Sequence, residues 1–258
     1  IIPRIGQVRK HKKTKKYIKN IGDIEKIQRR LITQEDPKSP VSESYRSLRT
    51  SLMFSKRKDE AGEVILVSSA GPGEGKTTTI VNLAITYANL GKRTILIDTD
   101  LRKPVVHKVF NLDKEPGITK FLSGYEKNHE KIINDTDVEN LSVITSGVIP
   151  PNPSEILASK EMRELIEKLK QEYDIILLDS PPLLAVTDTL VSMEYADQFM
   201  FIVRIGKTFK AGLQRSLDQM RHNNAPLAGV VVNDIDISTS YGGGYYYNYY
   251  QYYYSETK

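Results

Sequence analysis

From residue 41 onward the hydrophobic pattern alternates between two periods. Val41, Tyr45, Leu48 and Leu52 share one stripe behind Pro40, which predicts a helix over 41–55. A continuous apolar run follows at 64–68 (VILVS). Then come Ile80, Leu83, Ala84, Tyr87 and Ala88 at helical spacing, stopped by Gly91. Further runs lie at 94–98 (TILID), 141–145 (LSVIT), 174–179 (DIILLD), 198–204 (QFMFIVR) and 228–233 (AGVVVN). Helical patterns at 160–171 (Met162, Leu165, Ile166, Leu169) and 210–222 (Leu213, Leu217, Met220) separate several of them. Strands that are apolar on both faces, with helices between them, predict an α/β fold: a three-layer, doubly wound, mainly parallel sheet. Beyond Ile237 the pattern stops, and 238–258 is a low-complexity segment of Ser, Gly and Tyr.

Charge and composition divide the chain further. Its 258 residues carry a formal net charge of +5. Residues 1–20 hold eight Lys or Arg and no acid, so taking those eight from the total leaves −3 for the remainder. This basic arm lacks amphipathic periodicity. It reads as a solvated tail, as a juxtamembrane segment drawn to anionic lipid, or as a nucleic-acid arm. The last is disfavoured because Tyr17 is its one aromatic residue. Nine of the fifteen tyrosines lie between Tyr241 and Tyr254. There is no cysteine, which excludes disulfides, thiolate zinc sites and thiol nucleophiles and suits a reducing compartment. The four histidines lack ligand spacing. No stretch approaches the roughly 18 apolar residues that a membrane span needs. The chain begins at Ile1, which reads as a piece of a longer or fused chain with a membrane segment left upstream. The organisation expected is a basic segment and linker (1–35), a catalytic domain (36–237) and a flexible tyrosine-rich tail (238–258).

The stretch SSAGPGEGKTT, residues 68–78, follows a predicted strand and opens a helix. That is the setting of a phosphate loop. Gly71, Gly73 and Gly75 let backbone N–H groups turn inward around a polyphosphate, and the helix N-terminus adds partial positive charge. Lys76 is expected to neutralise phosphate oxygens and the Thr77 hydroxyl to bind Mg²⁺, with Glu74 and Thr78 completing the loop. Ala70 stands where the common pattern has its first Gly. Asp98, Asp100 and Asp179 end two other strands on the same rim, where open α/β sheets bind ligands. An acid at one strand end is often a helix cap; three beside a phosphate loop point to Mg²⁺ and its waters.

The loop at 70–77, the hydrophobic-DTDLRKP stretch at 95–104 and the hydrophobic-LDSPP stretch ending at Asp179 together resemble the bacterial tyrosine kinases (BY-kinases). These are cytoplasmic modules of the polysaccharide co-polymerase systems for capsule and exopolysaccharide. PPNPSEILAS (150–159), Glu43-x-x-Arg46-x-x-Arg49 and the terminal tyrosines extend the resemblance over residues 36–258. It implies a P-loop fold of the MinD/ParA type, ATP/ADP and Mg²⁺ as ligands, and a place at the cytoplasmic face of the bacterial membrane. It also implies a ring-shaped homo-oligomer built through Glu43, Arg46 and Arg49, a transmembrane adaptor or the chain's own upstream membrane segment, a cognate tyrosine phosphatase, and an activating role for residues 1–35, whose first twenty resemble the adaptor or juxtamembrane tail. No nucleic acid is expected. The alternative is a MinD/ParA-like ATPase switch without a protein substrate. That group carries a signature Lys near the start of the loop, where this chain has Gly71, and lacks a tyrosine tail.

On the resemblance, the γ-phosphate of ATP passes to Tyr241, Tyr245, Tyr246, Tyr247, Tyr249, Tyr250, Tyr252, Tyr253 and Tyr254 of a neighbouring subunit. Thr77, Asp100 and Asp179 are the expected metal ligands and Asp98 the group beside the phenol, although Asp98 and Asp100 are interchangeable on spacing. Asn233, at the end of the last strand, matches the position that contacts adenine. Glu43, Arg46 and Arg49 also admit a plainer reading as i, i+3 ion pairs on a solvated face.

Overall fold

The computed structural model describes residues 1–5, 31–55 and 62–235. In chain order the helices are α1 (Ile32–Glu35), α2 (Pro40–Ser55), α3 (Lys76–Ala88), α4 (Val106–Val109), α5 (Ile118–Leu122), α6 (Pro153–Leu157), α7 (Lys160–Glu172), α8 (Asp188–Ser192) and α9 (Lys210–His222). The strands are β1 (Glu63–Ser69), β2 (Thr94–Asp98), β3 (Ile133–Asp135), β4 (Leu141–Ile144), β5 (Ile175–Asp179), β6 (Gln198–Arg204) and β7 (Leu227–Asn233). They form one sheet in the order β3-β4-β2-β5-β1-β6-β7. All pairings are parallel except that of β3 with β4.

Alternation along each strand sends successive side chains to opposite faces. Val64 and Leu66 of β1 join Ile95, Ile97, Ile176, Leu178, Phe199 and Phe201 in one core. There they meet Met162, Leu165, Ile166 and Leu169 of α7 and Met220 of α9. Ile65 and Val67 join Leu96, Ile175, Leu177, Met200 and Ile202 in the other, under α3 and α2. Both faces are therefore dry, which is why the strands read as unbroken apolar runs. The register of α7 begins at Ser159, whose hydroxyl accepts the Met162 N–H at 3.3 Å. Such a cap stabilises a helix by about 1 kcal/mol.

Helix α3 is buried almost all round, between the sheet and α2. Tyr45 and Leu52 of α2 pack on it, with Val41 and Leu48 half-buried beside them. Arg49 Nη1 donates to the Thr86 carbonyl of α3 at 2.6 Å. Arg46 Nη1 pairs with Glu43 at 2.6 Å within α2. In the single subunit, then, Glu43 and Arg46 form an i, i+3 pair, whereas Arg49 reaches the backbone of the neighbouring helix. Short helix α1 is tied to α3 by Asn82 Oδ1, which accepts from the Thr33 N–H (3.0 Å) and hydroxyl (2.9 Å).

The first residues do not behave as part of an arm. Ile2 is fully buried, and Pro3 bridges Ile235 in parallel fashion at the outer edge of β7. The basic residues from Arg9 to Lys19 and the nine tail tyrosines lie outside the described residues. Among the described residues no helix is long and apolar enough to cross a membrane.

Candidate active site

The three central strands β2, β5 and β1 bring the site together at their carboxyl ends. Gly73 (φ +71°) and Gly75 (φ +104°) occupy the left-handed region, which lets the loop turn sharply into α3. At Gly75 a Cβ would come within 2.1 Å of Asn233 Nδ2, so the residue is glycine for two reasons. Lys76 opens α3 and is largely buried. The Thr77 hydroxyl donates to Asp179 Oδ2 at 2.6 Å.

Asp98 and Asp179 sit opposite each other in the β2–β5 register. Both are buried. Asp98 Oδ2 accepts the N–H groups of Val105 (3.2 Å) and Val106 (3.1 Å), whereas its Oδ1 makes no hydrogen bond. Desolvation, and then the neighbouring Asp179 carboxylate, hold its pKa well above the ordinary carboxylate range. Asp100 stands apart on the rim, half-buried, with Oδ1 accepting the Lys103 N–H at 3.0 Å. The pair that spacing left interchangeable is therefore distinct in its surroundings. Two crowded carboxylates, an unspent buried oxygen and a hydroxyl at one point form a donor set that suits a hard divalent cation. Among the described residues no group of three or more His, Cys, Asp or Glu is clustered for a metal. A cation here would thus complete its shell from phosphate and water.

Two of the expected nucleotide-binding residues also hold the loop in place. Glu74 does not turn its carboxylate toward a ligand. That group is buried and accepts the Gly71 N–H (3.1 Å) and the Thr208 hydroxyl (2.7 Å), stapling the loop to the β6–α9 connection. Its backbone N–H is what it can offer a phosphate. Asn233 reaches the loop as well, but Nδ2 donates to the Glu74 carbonyl at 3.0 Å. The Thr78 carbonyl accepts from Asn82 Nδ2 at 2.8 Å.

Several residues at the site had no signature in the sequence. Asp188, fully buried at the start of α8, accepts Arg102 Nε (2.9 Å) and Nη2 (3.1 Å) and the Ser154 hydroxyl (2.5 Å). It joins the loop after β2, the PPNPSEIL segment and the loop after β5. Thr189 fixes the Pro181 carbonyl at 2.7 Å, and Ser68 donates to the same carbonyl at 2.7 Å. Apart from Thr189 and Pro181, the partners lie far apart in sequence, so no local pattern announces them.

The loop, its lysine and the acids on neighbouring strands define a P-loop nucleotide-binding domain, and an AAA domain family model matches residues 62–226. The chain is similar to the tyrosine-protein kinase YwqD of Bacillus subtilis, at 38% identity over 88% of this chain and 94% of that protein. It matches the tyrosine-protein kinase ptk of Acinetobacter johnsonii at 38% identity over 77% of its own length, but spans only 27% of that protein. Among solved structures it overlays the kinase domain of the Escherichia coli tyrosine kinase ETK with a TM-score of 0.80. That match is 27% identical and covers 93% of this chain and 91% of that one. The chain belongs to the bacterial tyrosine kinases and is a protein-tyrosine kinase.

Proposed function

We propose that the chain transfers the γ-phosphate of ATP to the tyrosines between Tyr241 and Tyr254 of a neighbouring copy, within a ring-shaped oligomer. The observation that carries the reading is the meeting of the Thr77 hydroxyl, Asp179 and the buried Asp98 beside the phosphate loop. Lys76 and the inward N–H groups of the loop hold the β- and γ-phosphates. Thr77 and Asp179 would hold Mg²⁺, with Asp98 Oδ1 beside it. The cation supplies charge neutralisation for the transferring phosphoryl group. Asp100, the carboxylate on the rim, takes the position beside the attacking phenol, so the roles expected for Asp98 and Asp100 exchange. Burial of Asp98, with Oδ2 already spent on two amides, favours the exchange.

The tyrosine oxygen forms a bond to the γ-phosphorus as the bond to the bridging oxygen of ADP breaks, and the phenolic proton leaves to Asp100. A carboxylate is a far weaker base than a phenolate. The proton therefore moves late, which a loose transition state allows. The acceptor segment carries three consecutive glycines, 242–244.

Each phosphate adds about −1.5 to −2 charges. Modified tails repel one another and loosen the ring. Glu43, Arg46 and Arg49 would exchange their contacts within the subunit for contacts across it. Relatives named for cps regions and a solved structure titled as the chimerical protein CapA2B2 support placing the kinase in capsule or exopolysaccharide synthesis. There it would act at the inner membrane face with an adaptor and a phosphatase. The test is phosphotyrosine detection after ATP and Mg²⁺. Removal of 241–258 should eliminate most of the label, and label persisting on the body would overturn the choice of acceptor.

A further inference from the structure

Two loops meet at the mouth of the site. The chain leaves β2 at Asp98 and folds back onto it, since Asp98 Oδ2 accepts the N–H groups of Val105 (3.2 Å) and Val106 (3.1 Å). Arg102 lies inside that loop. Asp188 opens α8, after the loop that leaves β5 at Asp179. β2 and β5 are neighbours, with Asp98 opposite Asp179 in their register. The Arg102–Asp188 pair therefore ties together the loops that leave the two carboxylate strands. β5 separates β2 from β1, so the phosphate loop stands on one side of Asp179 and the loop of Asp100 and Arg102 on the other.

Arg102 is held firmly there. Its Nε donates to Asp188 Oδ2 at 2.9 Å and its Nη2 to Oδ1 at 3.1 Å. Oδ1 also accepts the Ser154 hydroxyl at 2.5 Å. The Ser192 hydroxyl donates to the Asp188 carbonyl (3.0 Å) and the Thr189 hydroxyl to the Pro181 carbonyl (2.7 Å), which fixes the turn that presents Asp188. A planar guanidinium gripped at two points has one orientation. Two of its five N–H groups are used, and the other three make no hydrogen bond among the described residues. The Asp188 side chain is wholly buried, whereas 43% of that of Arg102 is exposed. The hydrogen bonds to Asp188, and then the charges of Asp188, Asp100 and Glu155, raise the Arg102 pKa, so the rim carboxylate is within electrostatic reach.

We propose that Arg102 is a further catalytic residue, whose free N–H groups contact the phosphoryl group from the acceptor side during transfer, and that Asp188 is the positioning residue that aims it. The inference deepens the reaction proposed above and rests on that reading, with nucleotide on the β1 side of Asp179 and the acceptor on the β2 side. In a loose transition state negative charge spreads over the three equatorial oxygens of the phosphoryl group. Lys76 and the loop amides meet that charge from β1, and Arg102 meets it from β2. Arg102 takes no proton: the phenolic proton still leaves to Asp100 and the electron pair of the breaking bond to ADP. Donors fixed beforehand need no reorganisation as charge develops, and the buried carboxylate supplies that fixity.

The test is the rate of phosphotyrosine formation by the full chain at saturating ATP and Mg²⁺, beside ADP affinity measured by calorimetry. Asp188→Asn keeps the shape of the side chain but loses its charge and its second acceptor. It should lower kcat about ten- to a hundredfold and leave ADP affinity unchanged. Arg102→Lys keeps the charge without the fork and should lose a similar factor. Arg102→Gly should regain part of its rate when guanidinium is added, and none with ammonium. Unchanged kcat in Asp188→Asn and Arg102→Lys, or ADP affinity that falls in step with kcat, would overturn the proposal and leave the pair a structural tie. Total phosphotyrosine is counted wherever it forms. Label outside the tail would therefore sink the choice of acceptor without altering the comparison between variants.

Discussion

Arg102→Met isolates a buried charge. Asp188 is wholly enclosed, and Arg102 supplies its counter-charge through two hydrogen bonds of 2.9 and 3.1 Å. Removing one partner of a buried pair costs about 3–5 kcal/mol, because the remaining charge stays out of water. Arg102 keeps 43% of its side chain exposed, and the Ser154 hydroxyl still donates to Asp188. Those features lower the expected loss to about 2–3 kcal/mol. For a domain of this size that corresponds to a fall of about 4–12 °C in melting temperature. The control is Arg93→Met, which breaks a 3.5 Å pair with Asp174 at the surface and should cost at most about 1 kcal/mol. The assay is thermal denaturation followed by circular dichroism without nucleotide. Adding Asp188→Asn to Arg102→Met should restore part of the loss, since a neutral amide leaves no stranded charge. Equal melting points for Arg102→Met and Arg93→Met would refute the reasoning.

The remaining predictions concern the site. Gly75→Ala should reduce ADP affinity at least about tenfold, since its Cβ would overlap Asn233. Gly124→Ala, also at positive φ but in open space, should cost about 1–2 kcal/mol of stability and leave ADP affinity alone. Asp98→Asn should weaken Mg²⁺-dependent nucleotide binding, whereas Asp100→Asn should preserve binding and lower kcat. The reverse pattern, read by calorimetry and a turnover assay, would return Asp98 to the phenol.

The central sheet was legible because both its faces are dry. Six strands read as apolar runs, and the structure places their ends within a residue or two. β3 escaped, being three residues long and only partly buried (Ile133, Asn134, Asp135), with no periodicity to detect. The phosphate loop and its acids were legible because glycine, lysine and aspartate at strand ends have few other uses. What decides their surroundings was not. Asp98 and Asp100 differ through the amides of Val105 and Val106 and the strand register with Asp179, none of which spacing encodes. The sequence does not reveal that the Glu74 carboxylate staples the loop to Thr208. Ile1–Arg4 looked like part of a basic arm because charge outweighed the apolar pair Ile1-Ile2. A proline is admissible at a sheet edge, and Pro3 lies at one. Arg4 donates to Asp234, a partner 230 residues away and beyond any local signal.

The most direct test of the central claim is mass spectrometry of the intact and proteolysed chain before and after ATP and Mg²⁺, with Lys76→Met as control. The account predicts several phosphates, concentrated between Tyr241 and Tyr254, and none in Lys76→Met. An unmodified tail in a chain that binds ATP, or the same modification in Lys76→Met, would contradict it.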